Sequence, residues 1–295
     1  MSKISDMFRE NVKKVDDERD AGLSTPDDIV RYDDIVYGAD AKWQSLDVYR
    51  PKNKEGKRLP VIVSVHGGGW VYGDKERYQY YCMNLAQRGF AVVNFTYRLA
   101  PEYKFPSPLE DTNLVFTWVL SNAGEYRFDT SHIFAVGDSA GGHLLGLYTS
   151  ICTNPKYAKE YTFKTPHGFV PTAIALNCGK YEISLEKDLT DEQTKLLMAD
   201  FLEERGNAKE LELINVLNHV TKNFPPVFVM TATGDYLKDQ APLMAAKLAS
   251  CDVPFIYRLY GDLKNKLGHV FHCNIKLDEA KLCNDEECNF FREFC

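Results

Sequence analysis

His132-Ile133-Phe134-Ala135-Val136-Gly137-Asp138-Ser139-Ala140-Gly141-Gly142 reads as a strand, a tight turn and the approach to a helix that begins near Gly142-His143-Leu144-Leu145. A serine hydroxyl is a poor nucleophile unless it stands proud of the backbone beside a base. The turn forces Ser139 into a strained conformation, and its flanking glycines remove side chains that would strike the neighbouring strand and helix. A second glycine loop, His66-Gly67-Gly68-Gly69-Trp70, closes the apolar strand Pro60-Val61-Ile62-Val63-Ser64-Val65. One loop offers a hydroxyl and the other bare backbone N–H groups. Together they make a nucleophile facing an oxyanion hole, with Gly68, Gly69 and Ala140 as the chosen donors.

Such a nucleophile needs a base and an acid, which follow it in the order acid, then histidine. Asp235 comes after the strand Val227-Phe228-Val229-Met230-Thr231 and a Thr233-Gly234 turn, at the same sheet edge as Ser139. It is preferred to Asp239, four residues on, because a strand-end loop is a fixed platform. Asp262 precedes a lysine-rich loop and reads as a solvated turn residue. His269 and His272 follow the last strand; His269, in a loop after Leu267-Gly268, is the better placed, with His272 the alternative. His66 is expected to brace the glycine loop, and His143 to decorate the first turn of its helix. His132 opens a strand, His167 lies in a turn and His219 in a helix.

The bulk properties narrow the field. The chain has 295 residues and a net charge of −7, with no basic patch interleaved with aromatics, which argues against nucleic acid. No apolar stretch approaches the ~20 residues of a membrane span, so no membrane partner is expected. The charged N-terminus lacks the apolar core of a secretory signal. Eight cysteines, Cys82, Cys152, Cys178, Cys251, Cys273, Cys283, Cys288 and Cys295, form no CxxC pair. They read as reduced structural thiols, pointing to a cytoplasmic location, and no metal or cofactor is expected.

Strand-like runs at 61–65, 91–96, 133–136, 172–176, 227–231 and 255–259 alternate with helical segments at 78–88, 109–121, 142–152 and 240–250, the pattern of a parallel sheet covered on both faces. Before them, 34–37 and 46–49 suggest a hairpin around Gly38-Ala39-Asp40. Residues 3–22 carry Ile4, Met7, Phe8, Val12 and Val15 at helical spacing. Between Cys178 and Phe224 lies a helical pair. Thr190-Asp191-Glu192-Gln193 opens its first helix and Asn207-Ala208-Lys209-Glu210 its second, which carries Leu211, Ile214, Leu217 and Val220. The division expected is an N-terminal cap region at 1–30, core at 31–178, a helical cap insert at 179–223 and core again at 224–295. The two cap pieces are expected to form a lid over Ser139.

The two glycine motifs, with Tyr97-Arg98-Leu99-Ala100-Pro101-Glu102, Phe105-Pro106 and Asp111, resemble the hormone-sensitive-lipase-like family of α/β-hydrolases from about Leu46 to His272. The family's Asp-Pro-Leu-x-Asp motif corresponds to Asp235-Tyr236-Leu237-Lys238-Asp239, and its His-Gly-Phe to His269-Val270-Phe271. The resemblance implies an eight-stranded, mostly parallel α/β-hydrolase sheet with a helical cap. It implies a triad of Ser139, Asp235 and His269, and a structural role for 97–102 behind the oxyanion loop. The expected activity is a serine carboxylesterase acting on short, acetyl-like acyl esters through an acyl-enzyme. An amidase, formamidase or deacetylase using the same triad is the alternative, and a catalytically silent binding protein the remote one. The expected partner is a small-molecule ester; association of the chain with itself is left open.

Overall fold

A computed structural model describes residues 2–184 and 192–295. Its strands are β1 (Ile29–Val36), β2 (Ser45–Pro51), β3 (Leu59–Val65), β4 (Ala91–Phe95), β5 (Phe128–Asp138), β6 (Ala173–Asn177), β7 (Val227–Ala232) and β8 (Phe255–Tyr260). They form one eight-stranded sheet in the order β1-β2-β4-β3-β5-β6-β7-β8. β2 is antiparallel to β1 and to β4, and every other pairing is parallel. The helices are α1 (Lys3–Asp20), α2 (Lys75–Gln87), α3 (Ser107–Ser121), α4 (Ala140–Thr153), α5 (Pro155–Ala158), α6 (Glu192–Phe201), α7 (Ala208–Ile214), α8 (Gln240–Ser250) and α9 (Asp278–Arg292). Among the described residues no helix is long and apolar enough to cross a membrane.

Successive strand residues point to opposite faces, so continuous apolar runs feed two cores at once. Val61, Val63 and Val65 join Phe116 and Val119 of α3, Leu144 and Leu145 of α4 and Met244 of α8 on one side. Ile62, Phe134 and Val136 join Met83 and Leu85 of α2 and Phe290 and Phe291 of α9 on the other. Phe134 stacks on Phe291 with ring centroids 4.7 Å apart. Each such side chain contributes roughly 1.5–3 kcal/mol on burial.

Three features differ from the sequence expectation. The first two strands are longer than the alternation suggested; in β1, Asp34 at φ +59 sits where the register shifts between Tyr32 and Ile35 and interrupts the period. Helix α4 begins at Ala140, since the Ser139 carbonyl already accepts the His143 N–H at 3.1 Å. The C-terminal helix α9 was not anticipated. Its inward face is Ala280, Cys283, Glu287, Cys288 and Phe291, so two of the clustered cysteines are core residues of a helix. Burial pushes both thiols up and keeps them neutral. No cysteine is in a disulfide; Cys295 is the exposed one.

In the insert, the capping box at Asn207 and Glu210 is present, with the Glu210 N–H donating to Asn207 Oδ1 at 2.9 Å. Its helix stops at Ile214, and a short turn at Val216–Asn218 sets Val216 against Gly146 of α4. The proposed first cap, 190–193, lies partly outside the described residues.

Glu287 is wholly buried, accepting hydrogen bonds from Asn177 Nδ2 (2.6 Å) and the Tyr81 hydroxyl (3.2 Å). Burial pushes its carboxyl up to about 7, against the bonds to Asn177 and Tyr81, which pull the other way. An unfolded glutamate ionises near 4.3. Between these values the folded state binds more protons than the unfolded one, so this residue's contribution to stability is full in acid and is lost as the pH rises through about 7. Glu287→Gln should remove that slope. Its urea-unfolding free energy relative to wild type should improve by up to about 3 kcal/mol between roughly pH 4.5 and 8. Parallel pH curves for the two proteins would show that Glu287 is ionised in the folded state.

Candidate active site

Ser139 sits between β5 and α4 at φ +52, ψ −120, a left-handed conformation that costs a side chain such as serine's. Bonds on both sides hold it there. Its N–H donates to the Asn177 carbonyl on β6 at 3.0 Å, and its own carbonyl caps the start of α4. Two residues on, a Cβ on Gly141 would overlap the Val65 carbonyl oxygen, so only glycine lets the first turn of α4 approach the end of β3. The hydroxyl is thereby presented at the C-terminal ends of the parallel strands.

Asp235 follows β7 and is 2% exposed. Its Oδ1 lies 2.7 Å from His269 Nδ1 and accepts the Leu237 N–H at 2.8 Å, while Oδ2 accepts the Thr231 hydroxyl at 3.1 Å. His269 Nε2 is 2.9 Å from Ser139 Oγ. Hydroxyl, imidazole and carboxylate form one unbroken hydrogen-bonded chain. Burial opposes ionisation of Asp235, but the bond to His269, its charge and the Leu237 N–H together hold the carboxyl below its usual value.

The alternatives fall elsewhere. Asp239 is exposed at the start of α8 and caps nothing with its side chain. Asp262 is exposed and accepts the Lys264 and Asn265 N–H groups in its own turn. His272 is fully buried, edge-on to Tyr81 of α2, and burial pushes its imidazole down to about 3.

The glycine loop is braced from behind. The Gly68 carbonyl accepts the Val71 and Tyr72 N–H groups. Gly68 has φ +117, and a Cβ there would overlap the Tyr72 carbonyl. The Gly67 N–H donates to the Tyr78 hydroxyl, which donates to Asp138 Oδ2 at 2.7 Å. Burial raises the Asp138 carboxyl to about 6, although Tyr78 pulls it down. His66 stacks on Tyr97 at 4.0 Å, and its Nδ1–H donates to the Gly67 carbonyl at 2.7 Å. Burial pushes this imidazole down to about 4, so it serves as a neutral brace. The Tyr97 hydroxyl donates to the His66 carbonyl and the Ala100 N–H to the Trp70 carbonyl, which gives the 97–102 run its structural place behind the loop. Ala140 opens α4, where N–H groups have no partner inside the helix.

Helix α1 roofs the site. Phe8, Val12, Asp16 and Arg19 line a cleft of about 90 Å³ with Gly67, Gly68, Gly69, Ser139, Tyr236 and His269. Arg9 fastens the helix to Glu102 (2.6 Å) and to the Val71 and Ala100 carbonyls, and Asp16 accepts the Tyr72 hydroxyl at 2.9 Å. Among the described residues the insert lines none of this cleft. It packs instead behind the glycine loop, Phe201 stacking on Trp70 at 5.0 Å. The Trp70 indole N–H donates to His143 Nδ1 (3.1 Å), and His143 Nε2–H donates to the Ile214 carbonyl (2.8 Å). His143, expected as decoration of a first helical turn, is thus a buried link from the glycine loop to the insert, because α4 is covered on all sides.

Among the described residues two clusters place three metal-donor side chains within 4.8 Å of one another, Asp138 with His272 and Cys273, and Cys178 with Asp235 and His269. In both, the carboxylate is already engaged, by Tyr78 and by His269 respectively.

Residues 46–248 match the BD-FAE family model, and the chain belongs to that family of α/β-hydrolases, of the hormone-sensitive-lipase-like group. It is 30% identical to esterase LipC of Mycobacterium tuberculosis (strain ATCC 25618 / H37Rv) over 80% of this chain and 57% of that protein. It is 31% identical to the versiconal hemiacetal acetate esterase of Dothistroma septosporum (strain NZE10 / CBS 128990), over 70% of this chain and 66% of that protein. The chain thus spans between about half and two thirds of the length of these relatives. The solved structure of esterase B from Lactobacillus rhamnosis (HN001) shares the fold, with a TM-score of 0.89 at 24% identity over 99% of this chain and 94% of that one.

Replacing His143 by leucine should leave the Ile214 carbonyl and the Trp70 indole N–H buried without partners, at a cost of about 1–3 kcal/mol each. Amide exchange should then quicken in α7 more than in β3 or β5. Uniform loss of protection would show that the link carries no local role.

Proposed function

We propose that this protein is a serine carboxylesterase acting on esters of short acyl groups. The observation that carries the reading is the hydrogen-bonded Ser139 Oγ–His269–Asp235 chain in a cleft that Gly68 and Gly69 also line, and the reading assigns the N–H groups of Gly68, Gly69 and Ala140 as oxyanion donors. In acylation, Ser139 Oγ attacks the ester carbonyl carbon while His269 Nε2 takes its proton. The carbonyl oxygen becomes negative facing the three N–H groups. The carbon–alkoxy bond then breaks and His269 returns the proton to the departing alcohol. Water repeats the sequence on the acyl-enzyme. Asp235 holds the imidazole in the tautomer that leaves Nε2 free to accept, and stabilises the imidazolium once formed.

The acyl preference is supported by the size of the cleft and by Phe8, whose ring lies against Gly69. A chain longer than a few carbons has to displace α1 side chains to enter. The acetate named for the Dothistroma relative points the same way.

Ser139→Ala should abolish hydrolysis of acetate esters with thermal unfolding little changed, since one oxygen is lost. His269→Ala should do the same, and His272→Ala should cost several-fold at most. A folded Ser139→Ala protein that turns over normally would overturn the reading, and the reverse order of the two histidines would reassign the base. Formyl-amides run beside the esters decide between esterase and amidase.

Across p-nitrophenyl esters, kcat/KM should fall at least about tenfold from acetate to octanoate, and Phe8→Ala should narrow that gap. A wild-type preference for octanoate would show that α1 does not limit the acyl group.

A further inference from the structure

We propose that Tyr236 is the binding platform for the alcohol half of the ester and biases the enzyme towards aromatic alcohols. The proposal rests on the esterase reading above. Tyr236 stands where the motif matched at 235–239 carries proline. Its ring centroid lies 4.4 Å from that of His269, with the planes tilted by 44°, and it lines the cleft that holds Ser139. Even so, 73% of the residue is exposed.

Its position is set by its neighbours. Asp235 is anchored in the protein, and its side chain and carbonyl accept the Leu237 and Lys238 N–H groups, so the backbone on either side of Tyr236 is pinned. The residue is exposed on one side while its hydroxyl reaches towards Ser139, so the ring stands at the mouth of the cleft with a face available to a ligand.

The reaction identifies which part of the substrate reaches that face. His269 Nε2 must return its proton to the alkoxy oxygen as the carbon–oxygen bond breaks, so the alcohol departs past the His269 ring. On the esterase reading the acyl carbonyl is directed towards the N–H groups of Gly68, Gly69 and Ala140 and away from the proton on His269 Nε2. A ring packed on His269 therefore meets the alcohol and not the acyl group. A planar apolar alcohol stacks on it, whereas a methyl group covers little of it.

The test uses the full chain and two acetates, benzyl and methyl, which form the same acyl-enzyme, so that the ratio of their kcat/KM values reports acylation alone. Comparing that ratio between variants cancels the intrinsic reactivity of the esters. Tyr236→Ala should lower the benzyl-to-methyl ratio by about tenfold, and Tyr236→Phe should keep it within about twofold. An unchanged ratio in Tyr236→Ala would overturn the proposal, and loss of both substrates in equal measure would reduce Tyr236 to a cover for the His269–Asp235 pair. A Phe variant that behaves like the Ala variant would also overturn it, by assigning the effect to the hydroxyl. Failure of the esterase reading has a different signature: wild-type protein would hydrolyse neither acetate.

Discussion

Ser139 is held in a backbone conformation it would not adopt alone, and the rest of the site is arranged around that strain. A residue so placed costs on the order of 1–3 kcal/mol and persists only where its surroundings over-determine it. Here they do. The β6 carbonyl of Asn177 takes its N–H, and the missing side chain at Gly141 lets α4 close against β3. The Asn177 side chain in turn donates to Glu287 on α9. Three strands and two helices are thus tied to one dihedral angle, which presents the hydroxyl to His269.

The roof is attached differently from the floor. Of the eighteen residues of α1, only Ser5 and Asp16 are buried. The helix is held by Ile4 and Phe8, which pack partly buried against the core, and by polar contacts such as Arg9 with Glu102, Arg77 with Asp17 and Asp16 with Tyr72. An accessible ion pair such as Arg77 with Asp17 is worth at most about 1 kcal/mol. The elbow beneath, by contrast, is enclosed by two apolar cores. Stability is therefore distributed unevenly across the cleft, with a rigid floor carrying the reacting atoms and a lightly fastened helix above them.

The sheet was legible in the sequence because its strands are buried on both faces, which leaves unbroken apolar runs such as 61–65 and 227–231. The elbow and glycine loop were legible for a different reason: close backbone approach admits only small residues, and the glycines mark the places. What escaped was pairing across the fold. The inward face of α9 mixes Cys283, Glu287 and Cys288 with Ala280 and Phe291, so a buried carboxylate and two thiols obscured its helical period. The signal was there in the three- and four-residue spacing of Ala280, Cys283, Glu287 and Phe291. His143 and Tyr236 could not be read locally at all, since what each does depends on a residue distant in sequence or on a ring brought beside it by the loop after β8.

Burial also separates the histidines around Ser139. His66, His143 and His272 all lie within the structure around Ser139, and all three are fully enclosed. Burial, helped by Lys180 at His143 and by His269 and Arg19 at His272, pushes these imidazoles down to about 4, 4 and 3, so that none takes a proton near neutral pH. They serve as neutral hydrogen-bonding or packing elements beneath the loops. His269 differs in two respects: it reaches the cleft, and its inner nitrogen faces a carboxylate whose own ionisation the pairing favours. In the reaction proposed above, an imidazole so paired accepts the serine proton without leaving an uncompensated charge in the interior. The same low-dielectric surroundings that silence three histidines therefore make the Asp235 partnership a requirement for the fourth.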